Sequence, residues 1–327
     1  MATLGRSGIE VSRLILGCGN FGGIGSSPAF FGRGETRDQA FSLMDAAWEG
    51  GITTFDTADA YGGGRSETYI GEWLRTKPAE VRDRIVLSTK TFNPMEEGGD
   101  HGLAPDRVRR QLDSSLRRLG VERVSLFLAH DWDPDVPVAE TLGVLDELVR
   151  AGKIGAVGVS NVDGAQLREA LEAGAAAGTV RYEWVQNSYS LLERDAEREV
   201  LPLCALHELG FTPFSPLAGG WLTGKYRRDQ AAPEGSRMTM RPEPYLHLLD
   251  DDTVWNGLDG LAAFARERGT TMATLALAWL LGEPRVTGVV TGARRPEQLV
   301  EPFAAAASPL TPDEHAELGR LFVRAVI

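Results

Sequence analysis

The chain has 327 residues, 43% of them hydrophobic, enough to bury a large core, and its 34 basic and 46 acidic residues give a formal net charge of -12. A surface of that sign does not generally attract nucleic acid or anionic membrane, so neither is an expected partner, while a local basic pocket for an anionic small molecule remains compatible with it. Two cysteines, Cys18 and Cys204, form no disulfide framework and no metal-ligand cluster, so reduced thiols and no bound metal are expected.

The opening residues, MATLGRSGIEVS, carry no apolar signal core, and no later stretch approaches an uninterrupted span of about 20 apolar residues; a cytoplasmic protein is the expectation. After an N-terminal hairpin, short β-branched runs alternate with longer helical segments without a dividing linker. That alternation predicts repeated βα units in a single domain, residues 1–327. Strands are expected near 14–17, 53–56, 84–89, 124–129, 154–159, 183–187, 211–215 and 286–290. Helices are expected near 35–50, 66–77, 105–119, 138–151, 164–177, 194–209, 254–268, 271–281, 296–306 and 312–324. Pro105 opens one helix, Gly120 and Gly152 follow others, and Thr311-Pro312-Asp313-Glu314 reads as a cap with proline in the first turn.

Three connections are unusually long. Residues 19–34 are rich in Gly, Phe and Ser, 91–104 contain Met95 and His101, and 224–250 carry Arg227, Arg228, Arg237 and Arg241. All three follow strands, which suits loops that close over a substrate or cofactor. Phe30, Phe31, Phe92, Trp132 and Trp221 are candidate walls of that mouth.

The contexts ITTFDTADAYG, RIVLSTK and VSLFLAH each deliver polar groups at a strand end: Asp56 with Tyr61, Lys90 and His130. A set spread over several strand termini is what a parallel α/β barrel gathers at its C-terminal face. The four also suit one reaction. A phenol that protonates a carbonyl oxygen needs an ammonium to ease proton loss, a carboxylate to hold the ammonium, and an imidazole to orient the substrate oxygen. Singly each has an ordinary reading as a turn or a satisfied structural group. No strand-linked G-x-G-x-x-G with a placed acid is present, so a Rossmann dinucleotide site is not indicated, and the glycines of GCGNFGG and YGGGR read as turns.

In order along the chain, LGRSGIEVSRLILGCGNFGG, FDTADAYGGGRSE, LVRAGKIGAVGVSN, VQNSYSLLERDAE, FSPLAGGWLTGKY and TGARRPEQL resemble the aldo-keto reductases, NADP-dependent (β/α)8 enzymes that reduce aldehydes and ketones. The resemblance implies an α/β fold of the TIM-barrel type and a tetrad of Asp56, Tyr61, Lys90 and His130 with Tyr61 as general acid. It also implies an NADP(H) site. Cys18, Gly19 and Asp56 fall in that set, Ser160, Asn161 and Gln186 match contacts to the nicotinamide carboxamide, and Phe214 matches the ring stacked on it. Ser215, Pro216, Leu217, Ala218 and Gly219, followed by Gly220, match the pyrophosphate loop, to which Lys225 and Arg237 would add positive charge. Gly292, Ala293, Arg294, Gln298 and Glu301 match the adenosine segment, where a guanidinium beside a helix opening at Pro296 suits a 2′-phosphate. NADP(H) is therefore expected over NAD(H).

Two positions depart from the family pattern. Pro302 stands where an Asn commonly meets adenine, and Thr291 replaces a proline at the strand exit. Pro302 is also expected to kink the helix around it. The chain resembles the nicotinamide-binding β-subunits of potassium channels as well, but it opens without an inactivation-type segment, so a metabolic reductase acting on a small carbonyl or alcohol substrate is the expectation. The same chemistry run in reverse, as a sugar or alcohol dehydrogenase, stays open, as does a homo-oligomer.

Overall fold

The computed structural model describes residues 1–322. Ala2–Thr3 (β1) and Glu10–Val11 (β2) pair antiparallel as a hairpin. The strands that follow are β3 (Leu14–Gly17), β4 (Thr54–Asp56), β5 (Val86–Thr91), β6 (Val124–Ala129), β7 (Ile154–Ser160), β8 (Trp184–Gln186), β9 (Gly210–Phe211) and β10 (Val289–Thr291). They form one eight-stranded sheet in the order β10-β3-β4-β5-β6-β7-β8-β9, with every neighbouring pair parallel. Between the two end strands, the N–H groups of Thr287 and Val290 donate to the carbonyls of Phe211 and Pro213 at 2.8 and 2.9 Å. The sheet thereby closes on itself as a (β/α)8 barrel.

The helices are α1 (Arg37–Glu49), α2 (Arg65–Thr76), α3 (Ala79–Arg82), α4 (Pro105–Leu119), α5 (Val138–Arg150), α6 (Gly164–Ala177), α7 (Val200–His207), α8 (Arg237–Met240), α9 (Asp252–Arg268), α10 (Met272–Gly282), α11 (Val300–Ala307) and α12 (Pro312–Arg320). Local chemistry sets their ends. Thr36, Asp163 and Thr311 cap α1, α6 and α12 through reciprocal bonds with Gln39, Gln166 and Glu314. α4 starts on Pro105 and stops at Gly120 with φ 70°. Among the described residues no helix is long and apolar enough to cross a membrane.

Three expectations need correction. The strand expected over 211–215 ends at Phe211, because Pro213 has no N–H to continue a ladder. The helix expected over 194–209 divides into a 3₁₀ turn (Asp195–Glu197) and α7. Pro202 is the third residue of α7 and Pro302 the third of α11. In a first turn a missing N–H costs no intrahelical bond, so both prolines mark a helix start, and the helix expected over 296–306 divides just before Pro302 into a 3₁₀ turn (Pro296–Leu299) and α11. The last two positions of the expected 312–324 helix, 323 and 324, lie outside the described residues.

Side-chain alternation divides the barrel into layers. Phe55, Phe127 and Val157 face the helices within the main core, while Leu126, Leu128, Ala156 and Trp184 pack together with Leu4 and Val11 of the hairpin. The hairpin thus plugs one end of the lumen. Trp184 lies against Gly158, where a Cβ would sit 2.7 Å from the indole. Above this apolar layer, the same alternation turns Asp56, Ser88, Lys90 and Gln186 inward near the carboxyl ends of the strands.

Candidate active site

Lys90 is completely buried, and Asp56 and His130 retain 3% and 8% exposure. An ammonium taken out of water needs a partner, and Asp56 supplies it: Lys90 Nζ donates to Asp56 Oδ2 at 2.6 Å and to the Thr57 carbonyl at 2.9 Å. The other carboxylate oxygen accepts from Ser88 Oγ at 2.8 Å and Gln186 Nε2 at 3.2 Å. Burial alone would lower the Lys90 pKa; the Asp56 carboxylate and Tyr61 together outweigh it and hold the value above the ordinary one.

Tyr61 follows β4 at the start of a 3₁₀ turn, Tyr61–Gly64, where Gly62 and Gly63 have φ of 60° and 67°. Those left-handed glycines fold the chain back so that the phenol comes over Lys90, whose Nζ is 5.2 Å from the ring centroid. Burial raises the Tyr61 pKa and the Lys90 charge opposes that rise. His130 meets the Tyr61 ring edge-on, centroids 5.5 Å apart. Burial, then the Lys90 charge, pushes its pKa well below the ordinary value, so the imidazole is neutral. Asn93 Nδ2 lies 3.3 Å from His130 Nδ1; an amide donor there makes Nδ1 the acceptor and leaves the proton on Nε2.

Of the residues matched to nicotinamide contacts, Asn161 donates from Nδ2 to the His130 carbonyl (2.8 Å), Ser160 Oγ donates to the Gln186 carbonyl (2.6 Å), and Phe214 is half-buried. Cys18 has no exposed surface; its N–H donates to the Asp56 carbonyl, and burial raises its thiol pKa. Gly19 lies against Tyr61, with its Cβ position 3.5 Å from the ring.

The residues matched to the rest of a dinucleotide form a second centre. Ser215 and Ala218 hold φ of 53° and 46°, and Gly219 and Gly220 follow at 63° and 94°. Left-handed residues in this density are costly for non-glycine side chains, and they make the concave run of backbone that receives anions. Lys225 lies over Gly220. Its pKa is lowered by burial and by Arg237 and Arg294, while that of Arg237 is lowered by burial, with Arg241 and Arg294 contributing. Arg237 is half-buried while Lys225 and Arg294 keep contact with solvent, and cations that depress one another in this way are relieved by an anion between them. Glu35 is the acid that reaches them, bound to Arg294 Nε at 2.6 Å, and both Glu35 Oε2 and Ser236 Oγ are buried without partners. This donor set fits a phosphate-bearing group. Pro216 and Leu217 complete the loop, Gln298 Oε1 accepts from the Arg294 N–H at 2.8 Å, Gly292 is exposed and Glu301 is half-buried.

The mouth differs from expectation at one aromatic. Trp221 is 1% exposed and packs against Tyr226 and Trp255, so it belongs to the core. Sequence reasoning also passed over the network behind Tyr61. Asp59 is fully buried, accepts from Thr91 Oγ1 at 2.6 Å, and has an unpartnered Oδ1. Arg107 joins Thr91 to the carbonyls of Asn93 and Gly102, so one guanidinium ties the strand carrying Lys90 to the loop that supplies Asn93. Among the described residues no group of three or more His, Cys, Asp or Glu side chains could hold a metal ion.

A parallel barrel with this polar layer at its carboxyl end has the architecture of a nicotinamide-dependent oxidoreductase. The chain belongs to the Aldo/keto reductase family, whose signature matches residues 13–321. It is 36% identical over 315 residues to the uncharacterized oxidoreductase YrpG of Bacillus subtilis (strain 168), covering 92% of this chain and 89% of the relative. It is 33% identical over 320 residues to the NADH-specific methylglyoxal reductase of Escherichia coli (strain K12), covering 92% of each. A probable voltage-gated potassium channel subunit beta of Oryza sativa subsp. japonica is 34% identical over 307 residues, covering 92% of this chain and 89% of the relative.

Proposed function

We propose that the protein reduces an aldehyde or ketone to an alcohol with NADPH, using Tyr61 as the general acid. The observation that carries this reading is the phenol held over a buried ammonium that is itself anchored by Asp56. When bound, the reduced nicotinamide supplies hydride to the carbonyl carbon. The protein's part is proton delivery and charge placement. Tyr61 gives its proton to the carbonyl oxygen, and Lys90 stabilises the phenolate that remains. Neutral His130 donates from Nε2 to the same oxygen and orients it. Asp56 keeps Lys90 in place, and Asn93 fixes the imidazole tautomer.

Ser160, Asn161, Gln186 and Phe214 would border the nicotinamide. The Ser215–Gly219 backbone with Lys225 and Arg237 would meet the pyrophosphate, and Arg294 the adenosine end. The two free thiols, both buried, support a reducing compartment and hence the cytoplasm. The likeness to a channel subunit supports a second reading as a redox-linked partner, which stoichiometric co-purification from native extract would separate from a free enzyme. The test of the main reading is a screen of aldehydes, ketones and keto-sugars against NADPH and NADH, followed by loss of nicotinamide absorbance. Turnover of at least one carbonyl class is expected; cofactor binding without any carbonyl-dependent oxidation would overturn it.

A further inference from the structure

Glu35 ends the first mouth loop just before α1, and its backbone is held on both sides. Its N–H donates to the Asn20 carbonyl at 2.8 Å, and its carbonyl accepts from the Gly22 N–H at 2.9 Å. Asn20 in turn accepts from Arg237 at 3.3 Å through its side chain. The carboxylate is therefore a fixed part of the cation cluster. Its side chain is 2% exposed, Oε1 accepts from Arg294 Nε, and Oε2 is buried with no donor. Arg294 spends Nη1 on the Gly235 carbonyl at 3.1 Å, so the pair is oriented from both ends.

A buried carboxylate oxygen without a donor carries a desolvation cost that a hydroxyl would relieve. The ribose 2′ position distinguishes the two nicotinamide dinucleotides by that chemistry: a hydroxyl donates to an acid, whereas a phosphate calls for a guanidinium and repels a carboxylate. Here both readers share one ion pair. We propose that Glu35 is a specificity-determining residue, and that Glu35 with Arg294 reads the ribose 2′ position so that the protein accepts NADH as well as NADPH. This rests on the reading above that Arg294 meets the adenosine end. Arg294 draws the 2′-phosphate, Glu35 accepts from the 2′-hydroxyl, and the negative charge of Glu35 limits the preference for phosphate.

Wild type, Glu35→Gln and Arg294→Ala are titrated with NADPH, NADH, 2′,5′-ADP and 5′-ADP, without carbonyl substrate, by tryptophan fluorescence and calorimetry. The wild-type NADPH and NADH affinities should lie within roughly tenfold of each other, and Glu35→Gln should raise the ratio in favour of NADPH by about tenfold or more by removing one nearby like charge. The ratio of 2′,5′-ADP to 5′-ADP should move with it. A wild-type preference for NADPH beyond about a hundredfold overturns the inference even if the variant folds poorly. So does an unchanged ratio in Glu35→Gln when Arg294→Ala weakens 2′,5′-ADP. If Arg294→Ala leaves 2′,5′-ADP untouched, it is the placement of the adenosine end that fails.

Discussion

The tetrad and the cation cluster at the barrel mouth are both charged, the first buried and the second partly open to solvent, and they are built on opposite principles. In the tetrad each charge has its complement: Lys90 is matched by Asp56, and both oxygens of Asp56 are occupied. In the mouth, Lys225, Arg237 and Arg294 repel one another, and Glu35, the acid bound to Arg294, leaves an oxygen unpaired. A centre that must hold its geometry through a reaction is satisfied beforehand. The mouth cluster, proposed above to receive an anion, is left unbalanced in the folded protein.

The largest effect expected from breaking this contrast is on chemistry. Tyr61→Phe keeps the ring and removes the transferable proton, so carbonyl reduction should fall roughly 10²- to 10⁴-fold while NADPH affinity stays near wild type. Steady-state kinetics beside a binding titration would check this, and wild-type turnover would remove Tyr61 from its role.

The contrast is sharpened by deleting one cation from each centre. Lys90→Met leaves Asp56 buried and unpaired and should cost about 3–5 kcal/mol of stability along with activity. Arg237→Ala relieves repulsion, so the ligand-free protein should melt no lower than wild type, while NADPH binding weakens by roughly 1.5–3 kcal/mol. Denaturant melts with and without NADPH read both. Equal destabilisation of the free protein by the two substitutions would show that the centres are not opposites.

A smaller, pH-dependent effect is expected from Asp59, which belongs to neither centre. Burial raises its pKa from 3.8 to about 7; Glu67 pushes in the same direction, while the Thr91 hydrogen bond, Arg107 and Arg118 oppose it. The unfolded chain releases this proton near pH 4 and the folded one near 7, so the penalty is absent below pH 4, grows between 4 and 7, and is complete above 7. Asp59→Asn should therefore stabilise the protein by at most about 4 kcal/mol at pH 7.5 and by nothing at pH 4. A stability difference independent of pH would show that Asp59 does not titrate in this window.

Much of the barrel was legible in the sequence, because its strands are β-branched runs between capped helices. The tetrad was legible because three of its members close such runs. Errors came where burial contradicts residue type. The strand carrying Lys90 was expected to stop at 89, since a lysine reads as a strand exit; with Asp56 beside it the strand continues through Thr91. Trp221, in a glycine-rich loop, read as a mouth residue and is core. Glu35 and Arg294 are separated by 259 positions, and Arg107 looks in sequence like any arginine in an exposed helical turn. Pairings of that kind arise from closure of the barrel, which no local pattern encodes.

That closure is uneven. The registers from β4 to β7 are continuous, but β9 and β10 meet only through the bonds of Thr287 and Val290, with no ladder between them. The segments leaving this seam, Phe214–Gly219 and Gly292–Arg294, are the ones proposed to hold the dinucleotide. A bound dinucleotide would therefore act as a clasp across the least secured edge of the barrel, stabilising the fold by mass action. The amides of Thr287 and Val290 should exchange more slowly once NADPH is bound, and identical exchange in both forms would refute the clasp. With it, a cell short of nicotinamide dinucleotide would hold fewer molecules of this protein, because the open seam shortens their lifetime.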